Sequence, residues 1–367
     1  MRAEALVDLS AITDNVALLK GRTSAEVMTV VKADGYGHGM VPAARAALAG
    51  GATWLGAATP DEALALRAAG IEAPVLTWLW TPAESGAVAA AILAGVDVSV
   101  SSGWQLDVVR SVAISEALTA RVHLKIDTGL SRNGAVASEW PDLVAAAAKA
   151  AAAGEIEAVG IWSHFACADE PGHPSIQHQL DAFDSALSDA ARAGVEPQYR
   201  HIANSAATLN LPSSHFDLVR PGIASYGLSP LTDQYGLRPA MTLRAEVANV
   251  KRVAAGTGVS YGHRYVTAAD TTLVLVPLGY ADGIPRAATN RAPVAVNGGR
   301  FTIAGTVCMD QFVLDVGDLP VAPGDLAVLF GPGSDGEPTV QEWADALDTI
   351  HYELITRIGP RVERVYV

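Results

Sequence analysis

Between residues 27 and 227 the chain alternates short β-branched or otherwise apolar runs with Ala/Leu-rich stretches of helical period. That switching between a period of about 2 and one of about 3.6 is the pattern of consecutive βα units. The strand candidates are VMTVVKA (27–33), TWLGAA (53–58), APVLTWL (73–79), GVDVSV (95–100), ARVHLKIDTG (120–129), AVGIWSHFA (158–166), YRHIANS (199–205) and LVRPGIASYG (218–227). Helices are expected between them over 40–51, 59–70, 82–95, 103–116, 139–154 and 176–194. The second of these has Thr59 as N-cap, Pro60 at its first position and acids in its first turn. An open doubly wound sheet stops at five or six strands, so eight such units point to a closed (β/α)8 barrel of the TIM type.

After about residue 235 the rhythm changes to MTLRAEVANVKRV, TLVLVPLGYA and APVAVNGGRFTIAGTVCMDQFVLDV, with Asn297-Gly298 as a hairpin signal. A helical piece is expected over 341–359 before the last strand-like residues. The fold class is therefore α/β: a barrel over residues 1–235 followed by a mostly β domain over residues 236–367. With 50% hydrophobic and 17% charged residues, 367 residues can bury a core of that size.

Charge narrows the partners. Lys+Arg 25 against Asp+Glu 39 gives a formal net charge of -14, which repels phosphate backbones and anionic membrane surfaces, so neither is expected as a partner. Two cysteines, Cys167 and Cys308, make neither a disulfide framework nor a four-cysteine zinc site and favour a reducing compartment. MRAEALVDLS lacks an apolar signal core, and AVAAAILAG (87–95) falls short of a bilayer span. A cytoplasmic location is expected.

In a barrel of this kind, polar residues at the C-terminal ends of strands collect at one mouth. Lys32 ends the first strand candidate, Lys125 and Asp127 the fifth, His164 the sixth, Asn204 and Ser205 the seventh, and Arg220 with Gly222 lies on the eighth. Each taken singly has a structural explanation; together they mark one rim. Lys32 sits in VVKADGYGHG, where Gly35, Gly37 and Gly39 let the backbone turn tightly. The run lacks G-x-G-x-x-G spacing and by itself is a turn signal. Burial, however, makes a lysine lose its proton, and a neutral amine can attack a carbonyl.

VVKADGYGHG resembles the lysine motif of alanine racemases, the pyridoxal-phosphate enzymes that interconvert L- and D-alanine. HLKIDTGLSR (123–132), WSHFACAD (162–169), HIANSAA (201–207), VRPGIASYG (219–227), VSYGHRY (259–265), LGYADGIPR (278–286), GTVCMDQ (305–311) and TIHYELIT (349–356) agree in family order across essentially the whole chain. The family's fold, a barrel followed by a β domain, matches the periodicity. The resemblance implies that Lys32 carries pyridoxal 5'-phosphate covalently and acts as the base on one face of the substrate, with Tyr261 the base on the other. Two bases let a proton leave one side of Cα and return from the opposite side without rotating the substrate.

By the same resemblance His164 supports Tyr261, and Arg220 faces the pyridine nitrogen, to which a guanidinium donates a hydrogen bond but no proton. Tyr36, Ser205, Gly222, Ile223 and Tyr352 match the family's phosphate contacts. Arg132 and the Met309 backbone match its substrate-carboxylate contacts, and Lys125 holds a position that many members carbamylate. A homodimer with shared active sites, D-alanine for peptidoglycan as the product, and no metal are implied. The wording departs from the commonest at GLSRN, IHYEL and ASYG, none of which replaces a catalytic residue.

The rival readings are a pyridoxal-phosphate decarboxylase on the same plan, a broader-specificity racemase, a barrel that merely stores the cofactor, and a metal hydrolase. Decarboxylases of this plan typically offer the pyridine nitrogen a carboxylate where this chain has Arg220, and storage barrels lack the β domain. No H-E-x-x-H motif supports a metal hydrolase.

Overall fold

In the computed structural model, which describes residues 2–367, the chain opens on strand β1, Ala3–Val7, and a helix, Leu9–Lys20. Eight strands then form one sheet: β2 Glu26–Val30, β3 Trp54–Ala57, β4 Val75–Thr77, β5 Asp97–Val100, β6 Ala120–Lys125, β7 Ile156–Trp162, β8 Tyr199–His201 and β9 Leu218–Val219. Their order is β8-β7-β6-β5-β4-β3-β2-β9, with every pairing parallel. The ring closes where the Asp217 N–H donates to the Arg200 carbonyl at 3.1 Å and the Arg220 N–H to the Ala203 carbonyl at 2.9 Å. The barrel read from the periodicity is present, and each of the eight strand candidates supplies one strand.

Helices Met40–Ala49, Pro60–Ala68, Ser85–Leu93, Gly103–Ser115, Trp140–Ala152 and Pro174–Arg192 lie between the strands. Thr59 caps the second as expected, in a capping box with Glu62. Parallel strands buried on both faces are ordinarily apolar throughout. Here β6 departs from that rule: Val122 and Leu124 alternate with Arg121, His123 and Lys125, and a period of two puts those three polar residues on one face.

The other compact unit comprises, among the described residues, 2–11, Tyr36–Gly39 and Arg238–Val367. Its strands are β1 together with β10 Met241–Glu246, β11 Asn249–Val253, β12 Gly258–Val259, β13 Tyr265–Val266, β14 Thr271–Val276, β15 Pro293–Val296, β16 Gly299–Thr302, β17 Phe312–Asp315, β18 Leu326–Phe330 and β19 Glu363–Tyr366. They form a six-stranded sheet, β16-β15-β18-β10-β1-β19, a three-stranded sheet, β11-β14-β17, and the pair β12-β13. The hairpin at Asn297-Gly298 joins β15 to β16, with both central residues at positive φ (47° and 76°) as a type I′ turn needs.

Two differences from the sequence reading have physical causes. The reading placed residues 1–235 in the barrel domain, but β1 pairs antiparallel with β10 and parallel with β19, so the N-terminal strand completes the β unit. The helix expected over 341–359 is two, Val340–Leu347 and His351–Thr356. Asp348, at φ 56°, ends the first in the left-handed region, and Ile350 is extended before the second. Among the described residues no helix is long and apolar enough to cross a membrane.

Candidate active site

Lys32 follows β2 by two residues rather than ending it. Directly after it Ala33, Asp34, Gly35 and Tyr36 run through the left-handed region, with φ of 52°, 53°, 61° and 53°. A non-glycine residue there costs roughly 1–2 kcal/mol, so the turn needs outside support. Glu62 gives it: Oε1 accepts from the Ala33 N–H at 2.8 Å, while Oε2 accepts from the Ala58 and Thr59 N–H groups at 2.7 and 3.3 Å. Asp34 Oδ1 accepts from the Met40 N–H at 2.9 Å and closes the far side. The result is a lysine fixed at its Cα whose Nζ lies 5.8 Å from the centre of the Trp78 ring. Burial pulls the Lys32 ammonium below the usual lysine range; Arg132 adds to this, and Glu62 opposes it.

Trp162, at the end of β7, forms the floor beside it. Lys125 Nζ stands 4.2 Å from its ring centre and the Arg220 guanidinium carbon 4.8 Å, within cation–π range. The indole N–H donates to Ser99 Oγ at 2.9 Å, which pins the floor to β5. Arg220 is buried and donates to the carbonyls of Ser163 (2.8 Å) and Ile202 (3.3 Å), to His164 Nδ1 (3.2 Å) and to His201 Nδ1 (3.1 Å). None of these partners is a carboxylate. Burial lowers its pKa to about 9, which still leaves it charged at neutral pH. Burial, reinforced by Arg220, Arg132, Lys125 and Lys32, drives His164 well below the usual histidine range, so its ring is neutral and Nδ1 accepts. Burial, followed by Arg220 and Arg132, likewise lowers Lys125 to about 7, against a smaller pull from Asp127. Basic groups gathered with so little opposing charge make this mouth a receptor for anionic groups.

Beyond β8, Asn204 and Ser205 do not continue the strand. Asn204 caps the short helix Ser205–Asn210, accepting from the Ala207 N–H at 3.1 Å. Ser205 Oγ accepts from the N–H groups of Gly222 (2.9 Å) and Ala224 (3.3 Å) at the start of the turn Ile223–Tyr226. The N–H of Ile223, first in that turn, has no acceptor within it. A hydroxyl and backbone N–H groups after the last two barrel strands are the usual donors to a phosphate in this fold.

Tyr36, Tyr352, Tyr261 and Met309 belong to the other unit. Tyr36 and Tyr352 pack with ring centres 6.3 Å apart, and burial raises the Tyr36 phenol. The glycines of GYGHG make the tight turn expected of them, with Gly35, Gly37 and Gly39 at φ of 61°, 81° and 93° before the helix Met40–Ala49, and two of them also allow close packing: a Cβ on Gly37 would lie 2.2 Å from the Ile355 carbonyl oxygen, and one on Gly39 2.1 Å from the Tyr366 hydroxyl. Tyr261 is 74% exposed and Met309 53%. Their backbones are nevertheless tied: Thr306 Oγ1 donates to the Tyr261 carbonyl at 2.8 Å, and the Met309 carbonyl accepts from the Ala281 N–H at 2.9 Å.

Sequence reasoning passed over Glu62, Trp78, Asp97, His123, Trp162 and His201. The alternation R-H-K in β6 was a signal for His123, since charged residues on a barrel strand's inner face need partners. Glu62 was visible only as a helix-capping acid.

Fold and mouth together define a class: a (β/α)8 barrel enzyme centred on a desolvated lysine with an anion-binding rim, carried on a chain that also holds a mostly β unit. The alanine racemase N-terminal domain family matches residues 7–230 and the alanine racemase C-terminal domain family residues 240–366. The chain belongs to the alanine racemase family. It is 62% identical to the alanine racemase of Thermobifida fusca (99% of this chain and 98% of that protein) and 58% to that of Salinispora arenicola (100% and 98%). The crystal structure of alanine racemase from Streptomyces lavendulae superposes with a TM-score of 0.97 at 55% identity, covering 100% of this chain and 97% of that one.

Proposed function

We propose that this protein is a cytoplasmic alanine racemase that interconverts L- and D-alanine with pyridoxal 5'-phosphate and supplies D-alanine for peptidoglycan. The observation that carries the reading is Lys32, a half-buried amine with a lowered pKa on a braced turn, at the mouth of a barrel whose rim attracts anions. The donor set fits the cofactor. Ser205, Gly222 and Ile223 suit its phosphate, with Tyr36 and Tyr352 as further contacts, and Arg220 suits its ring nitrogen. When bound, the cofactor supplies an electron-withdrawing ring that acidifies the Cα–H of the amino acid it holds.

The chain's own residues do the rest. Lys32 takes or returns the proton at Cα from one face, because its desolvated amine is neutral more readily than an exposed one. The Tyr261 phenol works from the opposite face, supplied by a second copy of the chain in a homodimer with shared sites. Its high exposure in one chain supports that reading. Arg132 and the Met309 backbone hold the substrate carboxylate, and His164 supports Tyr261. Arg220 donates a hydrogen bond and retains its own proton, which keeps the ring neutral and disfavours protonation away from Cα. Lys125, with a pKa of about 7, offers the neutral amine that carbamylation needs. Its nitrogen bonds to the carbon of CO2 and releases one proton, leaving an anion among the arginines.

A decarboxylase would be served by a carboxylate against the ring nitrogen, and Arg220 contacts carbonyls and imidazoles instead. Incubating the holoenzyme with pure L-alanine while following optical rotation and released CO2 tests the reading. Rotation should decay to zero without gas; CO2 release, or rotation that stays constant, would reject it. L-serine in place of alanine tests for broader specificity.

A further inference from the structure

Beneath the mouth, the barrel interior carries a second polar system in line with Arg220. Asp97 on β5, His123 on β6 and His201 on β8 are each no more than 1% exposed. Asp97 Oδ2 lies 3.2 Å from His123 Nε2, and His123 Nδ1 lies 2.8 Å from His201 Nε2. His201 Nδ1 lies 3.1 Å from Arg220 Nη1. Below Asp97 the chain ends in ion pairs, since Arg121 bonds Asp97 Oδ1 at 2.9 Å and Glu157 at 2.9 Å.

The donors fix the direction of every proton. A guanidinium only donates, so His201 Nδ1 must accept and its proton sits on Nε2. That N–H points at His123 Nδ1, which must therefore accept, and the His123 proton sits on Nε2 facing the Asp97 carboxylate. An imidazolium at His123 would force the His201 proton onto Nδ1, against an Arg220 N–H. Burial, followed by Arg220 and His123, drives His201 well below the usual histidine range, in keeping with a neutral ring.

The packing is built to hold these rings. Trp162 stacks on His201 with ring centres 5.6 Å apart and planes 5° from parallel, and Trp54 meets His123 edge-on at 5.5 Å. On β7 the residue beside His123 is Gly160, where a Cβ would fall 2.2 Å from His123 Nδ1. Only a glycine leaves that nitrogen room to reach His201.

We propose that Asp97, His123 and His201 are positioning residues for Arg220, a one-way chain of hydrogen bonds that anchors the guanidinium and reserves its remaining N–H groups for the bound ligand. Of the five N–H groups of an arginine, the two on Nη2 serve Ser163, Ile202 and His164, one of them shared between two acceptors, and one on Nη1 donates to His201. Nε–H and one Nη1–H remain. The inference deepens the racemase reading and rests on it.

Neutron diffraction from crystals of the holoenzyme reads the chain directly. Deuterium is expected on Nε2 of both His123 and His201 and on Nδ1 of neither; deuterium on either Nδ1 overturns the proposal. The functional arm compares two variants. His201→Phe keeps the stacked ring but removes both nitrogens, and should lower kcat on alanine about tenfold or more and shift the bound cofactor's absorbance, with KM little changed. His201→Asn restores an acceptor at the Nδ1 position and should recover most of the rate and the wild-type spectrum. A folded His201→Phe enzyme with wild-type kcat and spectrum overturns the proposal. If that variant does not fold, the neutron result on the wild type decides. A wild type inactive on alanine sinks the racemase reading and the relay's purpose with it, whereas misplaced protons in an active enzyme sink the relay alone.

Discussion

The barrel mouth and the loops that carry Tyr261 and Met309 are organised in opposite ways. At the mouth, key groups are held by others: Lys32 through the turn that Glu62 and Asp34 brace, Arg220 by four acceptors, Trp162 by Ser99. In the β unit the backbone is equally well tied, yet the side chains of Tyr261 and Met309 stand in solvent, joined by Tyr280 at 43% exposure. The contrast is between a cluster whose side chains are held within one chain and a loop whose backbone is held but whose large side chains are exposed.

The largest effects come from removing one group from each of the two regions. Lys32→Ala should cost at least about a thousandfold in racemisation, because cofactor attachment and one proton transfer depend on the same amine. Tyr261→Ala should be comparably inactive while binding the cofactor normally. Co-expressing the two inactive chains breaks or sharpens the comparison. In a dimer with shared sites half the dimers are mixed and each holds one intact site, so about one quarter of sites should be active. Mixed dimers without activity would mean that each site lies within one chain and that the exposure of Tyr261 has another cause.

A smaller effect is expected from the brace behind Lys32. Glu62→Gln keeps the shape of the side chain but has one accepting oxygen for backbone N–H groups that now use two. We expect a loss of about 1–2 kcal/mol in stability by denaturant unfolding and a racemisation rate lowered by less than about tenfold. The charge effect has a definite sign. Glu62 raises the Lys32 pKa, so its removal should let the apoenzyme's Lys32 react with an amine-specific reagent at lower pH than in the wild type. An unchanged or raised reactivity profile would show that Glu62 does not face the amine electrostatically.

The two halves were also unequally legible in the sequence. The eight barrel strands announce themselves because each is a short apolar run bounded by helical period, and Lys32, Lys125, His164 and Arg220 follow from where those runs end. The N-terminal strand is quiet: AEALV is five residues of mixed propensity, and its place in the β unit depends on β10 and β19, more than 200 residues away. Gly160 is equally mute, since its purpose appears only when His123 is seen across from it. The motifs named Tyr261 through resemblance, but nothing in VSYGHRY tells that the phenol is exposed. Local patterns report what neighbours in sequence must do; the relay and the uncovered loop depend on neighbours in space.

The smallest effect concerns Lys125, at the barrel mouth beside Trp162 and Arg220. Its pKa is about 7 in the folded chain against an ordinary 10.5, chiefly because it is buried and then because Arg220 and Arg132 repel its charge. Between those two values the unfolded chain holds the proton and the folded chain does not, so stability rises with pH across the window. The penalty is complete below about pH 7 and absent above about pH 10.5. In CO2-depleted buffer the wild type should gain about 1 kcal/mol between pH 8 and 9 relative to Lys125→Met, which lacks the titrating group. Bicarbonate added at pH 8 should then stabilise the wild type alone, because only the folded chain presents a neutral amine there for CO2 to capture. Denaturant melts at the two pH values, with and without bicarbonate, check both signs. Parallel curves for the two proteins would mean that Lys125 keeps an ordinary pKa, and that the cations at the mouth are balanced by some group other than a carbamate on this lysine.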